Sequence, residues 1–277
     1  MRRGNSRPPA PGKFLVAGGM RLHYEEFGAY GPTLLLFHGY LSSTATWRAV
    51  LPRLAKEMRV VAIDLPGAGY SDRPADAPYT LPWIADLLPE IASSLGTTRL
   101  YLGGHSLGGA VALHGAARHP GLVAGLVLVS PLVYSPRPPP GLRFARRHPR
   151  IARTFFSSTL GRAFVSARLG KRAGPVLAHL DARGGWEAAM KTGLRAGIFA
   201  PDQALLSSIR QPALIFWGRQ DRVHPFEDAA RVCADLAGPR KVIAWEDATH
   251  YGHEGQAVEF AVETGHWILT CERPDRK

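Results

Sequence analysis

Residues 104–108 read Gly104-His105-Ser106-Leu107-Gly108, and they directly follow the strand-like stretch RLYLG at residues 99–103. A serine with a glycine two residues before and after it is typical of a sharp turn from a strand into a helix, because the strained backbone leaves little room for neighbouring side chains. The spacing predicts that Ser106 projects above a sheet edge as a candidate nucleophile. A glycine-rich loop with no catalytic role would have a similar sequence. The prediction therefore depends on finding residues that could act together with Ser106 in catalysis.

Strand-like and helix-like segments alternate on both sides of this turn. A hairpin with Gly18-Gly19 at its tip is expected between Lys13 and Phe27. Continuous apolar runs, typical of strands buried on both faces, occur at 33–37, 59–63, 99–102, 126–129, 213–217 and 241–245. Helix-length stretches lie at 45–57, 81–95, 108–118, 227–236 and 256–270. The order predicts an α/β fold with a mostly parallel, eight-stranded sheet and helices on both faces.

The alternation stops after the sixth strand. Residues 132–208 begin with a proline cluster and continue as a basic, helix-forming stretch. We expect this segment to be a helical lid insertion, with the α/β core formed by residues 14–131 and 209–272. Residues 1–13, which are basic and rich in proline, are expected to be a disordered tail.

Charge is distributed unevenly along the chain. The formal net charge is +12, and residues 132–200 alone hold thirteen Lys or Arg against Asp181 and Glu187. Such a segment could steer an anionic substrate, a membrane surface or a nucleic acid, or it could be an ordinary solvated surface. No nucleic-acid motif, membrane span or export signal is recognisable, and the two cysteines form no disulfide or metal pattern. We therefore expect a cytoplasmic protein that binds neither nucleic acid nor metal.

Polar residues with the required chemistry follow two later strands. Serine is a weak nucleophile at neutral pH, so Ser106 needs a histidine base and an acid that orients this base. Asp221 follows the strand at 213–217, and His250 follows the strand at 241–245. His253 and His38 are alternative bases, and the short loop after the last strand favours His250 over His253. The sequence therefore predicts Ser106, Asp221 and His250 as the catalytic residues.

Taken together, these residues resemble the α/β-hydrolase fold family over residues 14–269. The resemblance rests on His38-Gly39, the loop from Asp64 to Ser71, the Ser106 turn, Asp221 three residues after Gly218, and His250 followed by Glu254. It implies that the backbone N–H groups of Tyr40 and Leu107 form an oxyanion hole, that His38 and the Asp64 loop are structural, and that no cofactor is required.

Within this family, Ser106 argues against dehalogenases and epoxide hydrolases, which use a carboxylate nucleophile. The expected activity is hydrolysis of a carboxylic ester through a covalent acyl-enzyme. Lactonase, amidase, C–C bond hydrolase, acyltransferase and haloperoxidase-like activities stay open, as does a non-catalytic binding role. An apolar pocket for a small substrate with a hydrophobic acyl or aromatic group is expected, and its candidate residues are His38, Phe155, Phe156, Trp186 and Phe199.

Overall fold

The computed structural model describes residues 12–134, 140–170, 173–182, 184–194 and 203–273. Eight strands form one sheet, and their bounds are β1 Lys13–Ala17, β2 Met20–Phe27, β3 Thr33–Phe37, β4 Arg59–Ile63, β5 Leu100–His105, β6 Val123–Val129, β7 Ala213–Gly218 and β8 Arg240–Trp245. Their order across the sheet is β1-β2-β4-β3-β5-β6-β7-β8. The pairs β1 with β2 and β2 with β4 are antiparallel, and all other pairs are parallel. The predicted fold class is confirmed.

Helices cover the sheet on both faces. The first four are α1 Leu51–Leu54, α2 Leu81–Ala85, α3 Leu88–Ser94 and α4 Leu107–Arg118, and the last three are α11 Glu227–Asp235, α12 Gly252–Gly255 and α13 Ala257–Cys271. One apolar core packs α2, α3, α4 and α11 against one face, and a second packs α1 and α13 against the other. The central strands β3, β5 and β7 are buried along their whole length, as their unbroken apolar runs predict.

Two predicted helices are each divided in the structure. The expected helix at 45–57 consists of a short 3-10 helix, Thr44–Trp47, followed by α1, and the expected helix at 81–95 consists of α2 and α3. A proline occupies the first turn of α1 and of α3. Because proline lacks the N–H group that would continue a preceding helix, each of these prolines starts a new helix instead.

In the described part of the chain between β6 and β7 there are six helices, namely α5 Pro140–Arg147, α6 Pro149–Ser157, α7 Thr159–Leu169, α8 Ala173–Asp181, α9 Gly185–Leu194 and α10 Gln203–Ser208. We call residues 140–194 the insertion, since Leu206 of α10 and the following Ile209 already belong to the core, where α10 packs beside α4. Small apolar clusters of its own hold the insertion together. Within the described ranges no helix is long and apolar enough to cross a membrane.

Candidate active site

The turn between β5 and α4 holds Ser106 in a strained conformation. Its backbone has φ 53° and ψ −115°, in a region that residues with a side chain rarely adopt. The Ser106 N–H donates to the carbonyl of Val129 at 3.0 Å, and the Ser106 carbonyl accepts from the N–H of Leu132 at 2.9 Å. Hydrogen bonds to the neighbouring strand and to the segment that follows it thus hold this backbone in place.

The two glycines of the motif are required by close backbone contacts. A Cβ atom on Gly104 would lie 2.2 Å from the backbone of Gly108, and one on Gly108 would lie 2.2 Å from the carbonyl oxygen of Phe37. Both separations are far shorter than any van der Waals contact. The turn can therefore form only if these two positions carry no side chain, which is the reason for the spacing in the sequence.

Asp221 and His250 meet above the carboxyl ends of β7 and β8. Asp221 Oδ2 lies 2.8 Å from His250 Nδ1, and Asp221 Oδ1 accepts the N–H groups of Val223 and His224 at 2.8 and 2.9 Å. Burial favours the neutral acid, but the hydrogen bond and charge of His250, together with the two amides, outweigh it and lower the pKa of Asp221. An ionised carboxylate at this place fixes which nitrogen of His250 carries the proton.

A second imidazole, from His224, contacts the Ser106 hydroxyl. Its Nε2 lies 3.4 Å from Ser106 Oγ, and among the described side chains this is the hydrogen-bonding partner of that hydroxyl. The centres of the His224 and His250 rings are 4.9 Å apart, with one ring edge-on to the other. Sequence reasoning did not single out His224. The available signal was its position in the same loop as Asp221, three residues further on.

Two other histidines lie near His250 and contact other groups. His105, the residue before Ser106, has its Nε2 2.9 Å from the backbone oxygen of His250. Burial, reinforced by His250 and His253, lowers its pKa well below the usual value. His253 packs on Trp47 and contacts Thr46 Oγ1 at 3.0 Å. His250, and not the alternative His253, is therefore the histidine bonded to Asp221.

Tyr40, Leu107 and His38 border a small cavity of about 30 Å³ beside the nucleophile turn. Leu107 is the first residue of α4, so its N–H group is one of those that have no acceptor inside the helix. The Tyr40 hydroxyl donates to the carbonyl of Ala189 in α9 at 2.8 Å. The N-terminus of a helix favours a negative charge, and the role of the Tyr40 and Leu107 amides as an oxyanion hole stays a prediction.

His38 and Asp64 stabilise the loops around this cavity through hydrogen bonds. The His38 ring accepts the N–H of Leu65 at Nε2 and bonds the Gly39 carbonyl through Nδ1, while burial lowers its pKa. Asp64 is fully buried and accepts hydrogen bonds from His23 Nδ1 and from the amides of Thr44 and Tyr70. Both side chains are occupied by backbone and loop contacts, although His38 also borders the cavity.

The aromatic residues expected in the pocket lie within the insertion. Phe156 contacts both Phe155 and Trp186, with ring centres 5.4 and 5.9 Å apart. Trp186 is buried and Phe155 is 36% exposed. Phe199 lies outside the described residues. These contacts pack the insertion helices on one another, and a role in substrate binding stays a prediction.

A larger cavity of about 770 Å³ lies between the loop at 70–75 and helices α8 and α9. Its walls carry charges of both signs, and Trp186 is among its lining residues, whereas Ser106 and His250 are not. Among the described residues, no cluster of three or more His, Cys, Asp or Glu side chains could hold a metal ion.

The fold, the Ser106 turn and the sequence all indicate the same protein family. A family model described as the alpha/beta hydrolase fold matches residues 32–183, more than half of the chain, and the chain therefore belongs to this family. It is 32% identical over 240 residues to the 2-hydroxy-6-oxo-2,4-heptadienoate hydrolase of Pseudomonas putida, a match that covers 80% of this chain and 83% of the relative.

A second sequence relative and a solved structure are also similar to this chain. The chain is 27% identical to the uncharacterized hydrolase YugF of Bacillus subtilis over 254 residues, which covers 82% of this chain and 87% of YugF. In structure it resembles a crystallised meta-cleavage product hydrolase, the CumD A129V mutant, with a TM-score of 0.76 and 20% identity over 93% of this chain and 98% of that one. At this identity the likeness concerns the fold alone.

Proposed function

We propose that this α/β hydrolase is a serine hydrolase that cleaves a carboxylic ester, or a related acyl compound, through a covalent acyl-enzyme. The observation that carries the proposal is the 2.8 Å hydrogen bond between Asp221 and His250 beside the strained Ser106 turn. Serine acyl transfer needs a serine and a histidine that is held by a carboxylate.

The chemistry follows from the roles of these groups. Once a substrate carbonyl is bound, the Ser106 hydroxyl turns from His224 to the free Nε2 of His250, which takes its proton as Oγ attacks the carbonyl carbon. The amides of Tyr40 and Leu107 stabilise the oxyanion, and its collapse expels the leaving group, which receives the proton from His250. Water, activated by the same histidine, then releases the acid and restores Ser106.

Hydrolysis of a C–C bond is the second candidate function. It is favoured by the Pseudomonas putida relative, whose name specifies a 2-hydroxy-6-oxo-dienoate. This compound has a ketone and no ester, so its hydrolysis must break a carbon–carbon bond. Its carboxylate would also suit a basic insertion, which presents Arg143, Arg147 and Arg150 as exposed side chains.

The test is to offer the purified protein both substrate classes, p-nitrophenyl esters of increasing acyl length and 2-hydroxy-6-oxo-2,4-heptadienoate. Ser106→Ala should lower kcat for the preferred substrate by several orders of magnitude, and Asp221→Asn should lower it about 10⁴-fold because His250 loses its orientation. Ser93→Ala, at an exposed site on α3, is the control and should be fully active.

A fluorophosphonate probe provides an independent readout of the nucleophile. It should form an adduct on Ser106 in the wild-type protein and none in Ser106→Ala. Full turnover in a folded Ser106→Ala protein would contradict the proposal, because the reaction would not need this serine. No adduct on wild-type Ser106 and no turnover of either substrate class would also contradict it and would favour a non-catalytic binding role.

A further inference from the structure

Exposed apolar side chains are concentrated in helices α5 to α7 of the insertion. Among the residues that the structure describes, thirteen large apolar side chains are exposed, and five of them lie within residues 144–164. They are Phe144, Ile151, Phe155, Leu160 and Phe164. Single exposed apolar residues are ordinary on a protein surface, whereas a contiguous group of them marks a surface that contacts another molecule.

Four of these five side chains form one continuous surface, which we call the apolar patch. Ile151 and Phe155 are four residues apart on α6, and so are Leu160 and Phe164 on α7, so each pair shares one face of its helix. The rings of Phe155 and Phe164 are in contact, with centres 6.0 Å apart, and this contact joins the two faces. Ile151 is 59% exposed and Leu160 is 73% exposed.

Other residues of α6 and α7 pack these helices into the insertion. Ala152 of α6 lies in one apolar cluster with Trp186, and Val165 of α7 lies in another with Leu177. The most exposed members of the apolar patch therefore contribute little to the packing of the insertion, and polar substitutions there should leave the fold intact.

A basic surface borders the apolar patch. Residues 132–180 contain ten Lys or Arg and no Asp or Glu. Arg143 and Arg147 lie one helical turn apart on α5, Arg150 directly precedes Ile151 on α6, and all three arginines are exposed. The charge beside the exposed apolar side chains is therefore positive along this whole stretch of the chain.

This combination of side chains matches the surface of an anionic lipid bilayer. Apolar side chains enter the boundary between headgroups and acyl chains, while neighbouring arginines bind the phosphates of the headgroups. A second copy of this chain would bring arginines against arginines, which charge repulsion opposes. An acidic protein would attract the arginines, but it would also need an apolar surface that matches side chains as exposed as Leu160.

We propose that the apolar patch, together with Arg143, Arg147 and Arg150, is a docking surface for membranes that contain anionic phospholipids. Electrostatic attraction brings the basic surface to the headgroups, and burial of the apolar patch then holds the protein at the face of the bilayer. The docking surface is separate from Ser106, so this inference does not depend on the proposed serine mechanism.

Cosedimentation of the full-length protein with vesicles tests the proposal. One set of vesicles is phosphatidylcholine alone, and the other contains roughly a quarter phosphatidylglycerol, which supplies a negative surface. The wild-type protein should bind the mixed vesicles and bind pure phosphatidylcholine much more weakly. Added salt should weaken binding to the mixed vesicles, because it screens the attraction between the arginines and the headgroups.

Two double variants separate the apolar contribution from the charge contribution. Ile151→Ser with Leu160→Ser should weaken binding to the mixed vesicles about tenfold, since less apolar surface enters the bilayer. Arg147→Gln with Arg150→Gln should weaken it about 20-fold, since two phosphate-binding charges are lost.

Matched control variants change comparable residues on other surfaces. Val258→Ser with Val262→Ser removes an exposed apolar pair that is four residues apart on α13. Arg53→Gln with Lys56→Gln removes two exposed charges outside the insertion. Both should bind the mixed vesicles as wild type does, and so should Ser106→Ala, which tests the serine mechanism separately. Thermal unfolding of each variant shows that it is folded.

Three outcomes would overturn the inference. The first is that wild type does not bind the mixed vesicles, or binds both kinds of vesicle equally. The second is that both patch variants bind as wild type does, because the contact would then lie elsewhere on the chain. The third is that only the arginine variant loses binding, because attraction by charge alone would favour an acidic macromolecule as the partner.

Discussion

His105 Nε2 lies 2.9 Å from the backbone oxygen of His250, so a residue inside the nucleophile motif holds the loop that carries the proposed base. Because a carbonyl oxygen can only accept, the proton of the neutral His105 ring resides on Nε2. The strand-to-helix turn of Ser106 and the loop after β8 are connected by this buried bond, although 145 residues separate the two histidines in the chain.

Replacing His105 should impair catalysis without touching the substrate. His105→Ala leaves the His250 carbonyl unpaired in the interior, which costs about 1–3 kcal/mol and loosens the position of the base. We expect a lower melting temperature and a kcat reduced more than KM is raised, as measured on the preferred ester. His266→Ala, on the exposed side of α13, should change neither quantity. A His105→Ala enzyme with wild-type kcat would show that this bond does not position His250.

Substitution of a glycine in the Ser106 turn directly tests the close backbone contacts described above. Gly108→Ala would place a methyl group 2.2 Å from the Phe37 carbonyl oxygen, whereas a Cβ atom on Gly121 has no neighbour within 4 Å. The first substitution forces the backbone of the turn or of β3 to shift and should destabilise the protein by about 1–3 kcal/mol. Gly121→Ala should be nearly neutral. Denaturant unfolding of the two variants compares them, and equal midpoints would contradict the assigned close contact.

Asp64 predicts an acid-sensitive contribution to stability. Burial opposes its ionisation, but hydrogen bonds from His23, Tyr70 and Thr44 and the nearby His38 outweigh burial and lower its pKa. A carboxyl with a lower pKa in the folded state stabilises the protein above its unfolded pKa of about 4, and this contribution is lost as the pH falls towards the folded pKa. Asp64→Asn removes the buried charge and should cost about 3–5 kcal/mol at neutral pH.

The measurement is the free energy of unfolding of wild type and Asp64→Asn between neutral pH and about pH 3. The difference between the two proteins should shrink as the pH falls through the acid range. Asp76→Asn, at an exposed position, is the matched control and should run parallel to wild type. A difference that stays constant down to the lowest pH would show that Asp64 is not ionised in the folded protein.

The basic insertion predicts a salt effect that depends on substrate charge. If its arginines attract anions, kcat/KM for an ester with a carboxylate should fall as salt shortens the Debye length, while a neutral ester of equal size should be unaffected. The pair Arg147→Gln and Arg150→Gln should weaken the salt dependence. Arg53→Gln with Lys56→Gln removes two exposed charges outside the insertion and is the control. Equal salt slopes for both esters would mean that the charge is a solvated surface.

The sheet could be predicted from the sequence because its strands and the hairpin turn each have a recognisable local sequence pattern. Unbroken apolar runs indicate β3, β5 and β7, and Gly18-Gly19 marks the hairpin between β1 and β2. The breaks within the predicted helices were harder to predict from the sequence. Pro52 and Pro89 are as typical of the first turn of a helix as of an interruption within one.

For the site, the ends of the strands indicated which residues lie close together but not which side chains are in contact. Asp221 and His250 follow adjacent strands, so parallel pairing of β7 and β8 brings them together. Whether Ser106 Oγ points to His224 or to His250 depends on a side-chain torsion angle, which no pattern in the sequence records. The pocket role of the aromatic residues in the insertion stays a prediction for a related reason, because the sequence does not distinguish packing of Phe156 on Trp186 from packing on a ligand.

The hydrogen bond from the Tyr40 hydroxyl to the Ala189 carbonyl joins the loop after β3 to helix α9. Any outward movement of α9 must break this bond or pull Tyr40 along with it. A displacement of the insertion that pulls Tyr40 along would therefore also disturb the proposed oxyanion site. Tyr40→Phe removes this hydrogen bond and keeps the aromatic ring, so the insertion would then move without displacing the backbone amide of Tyr40.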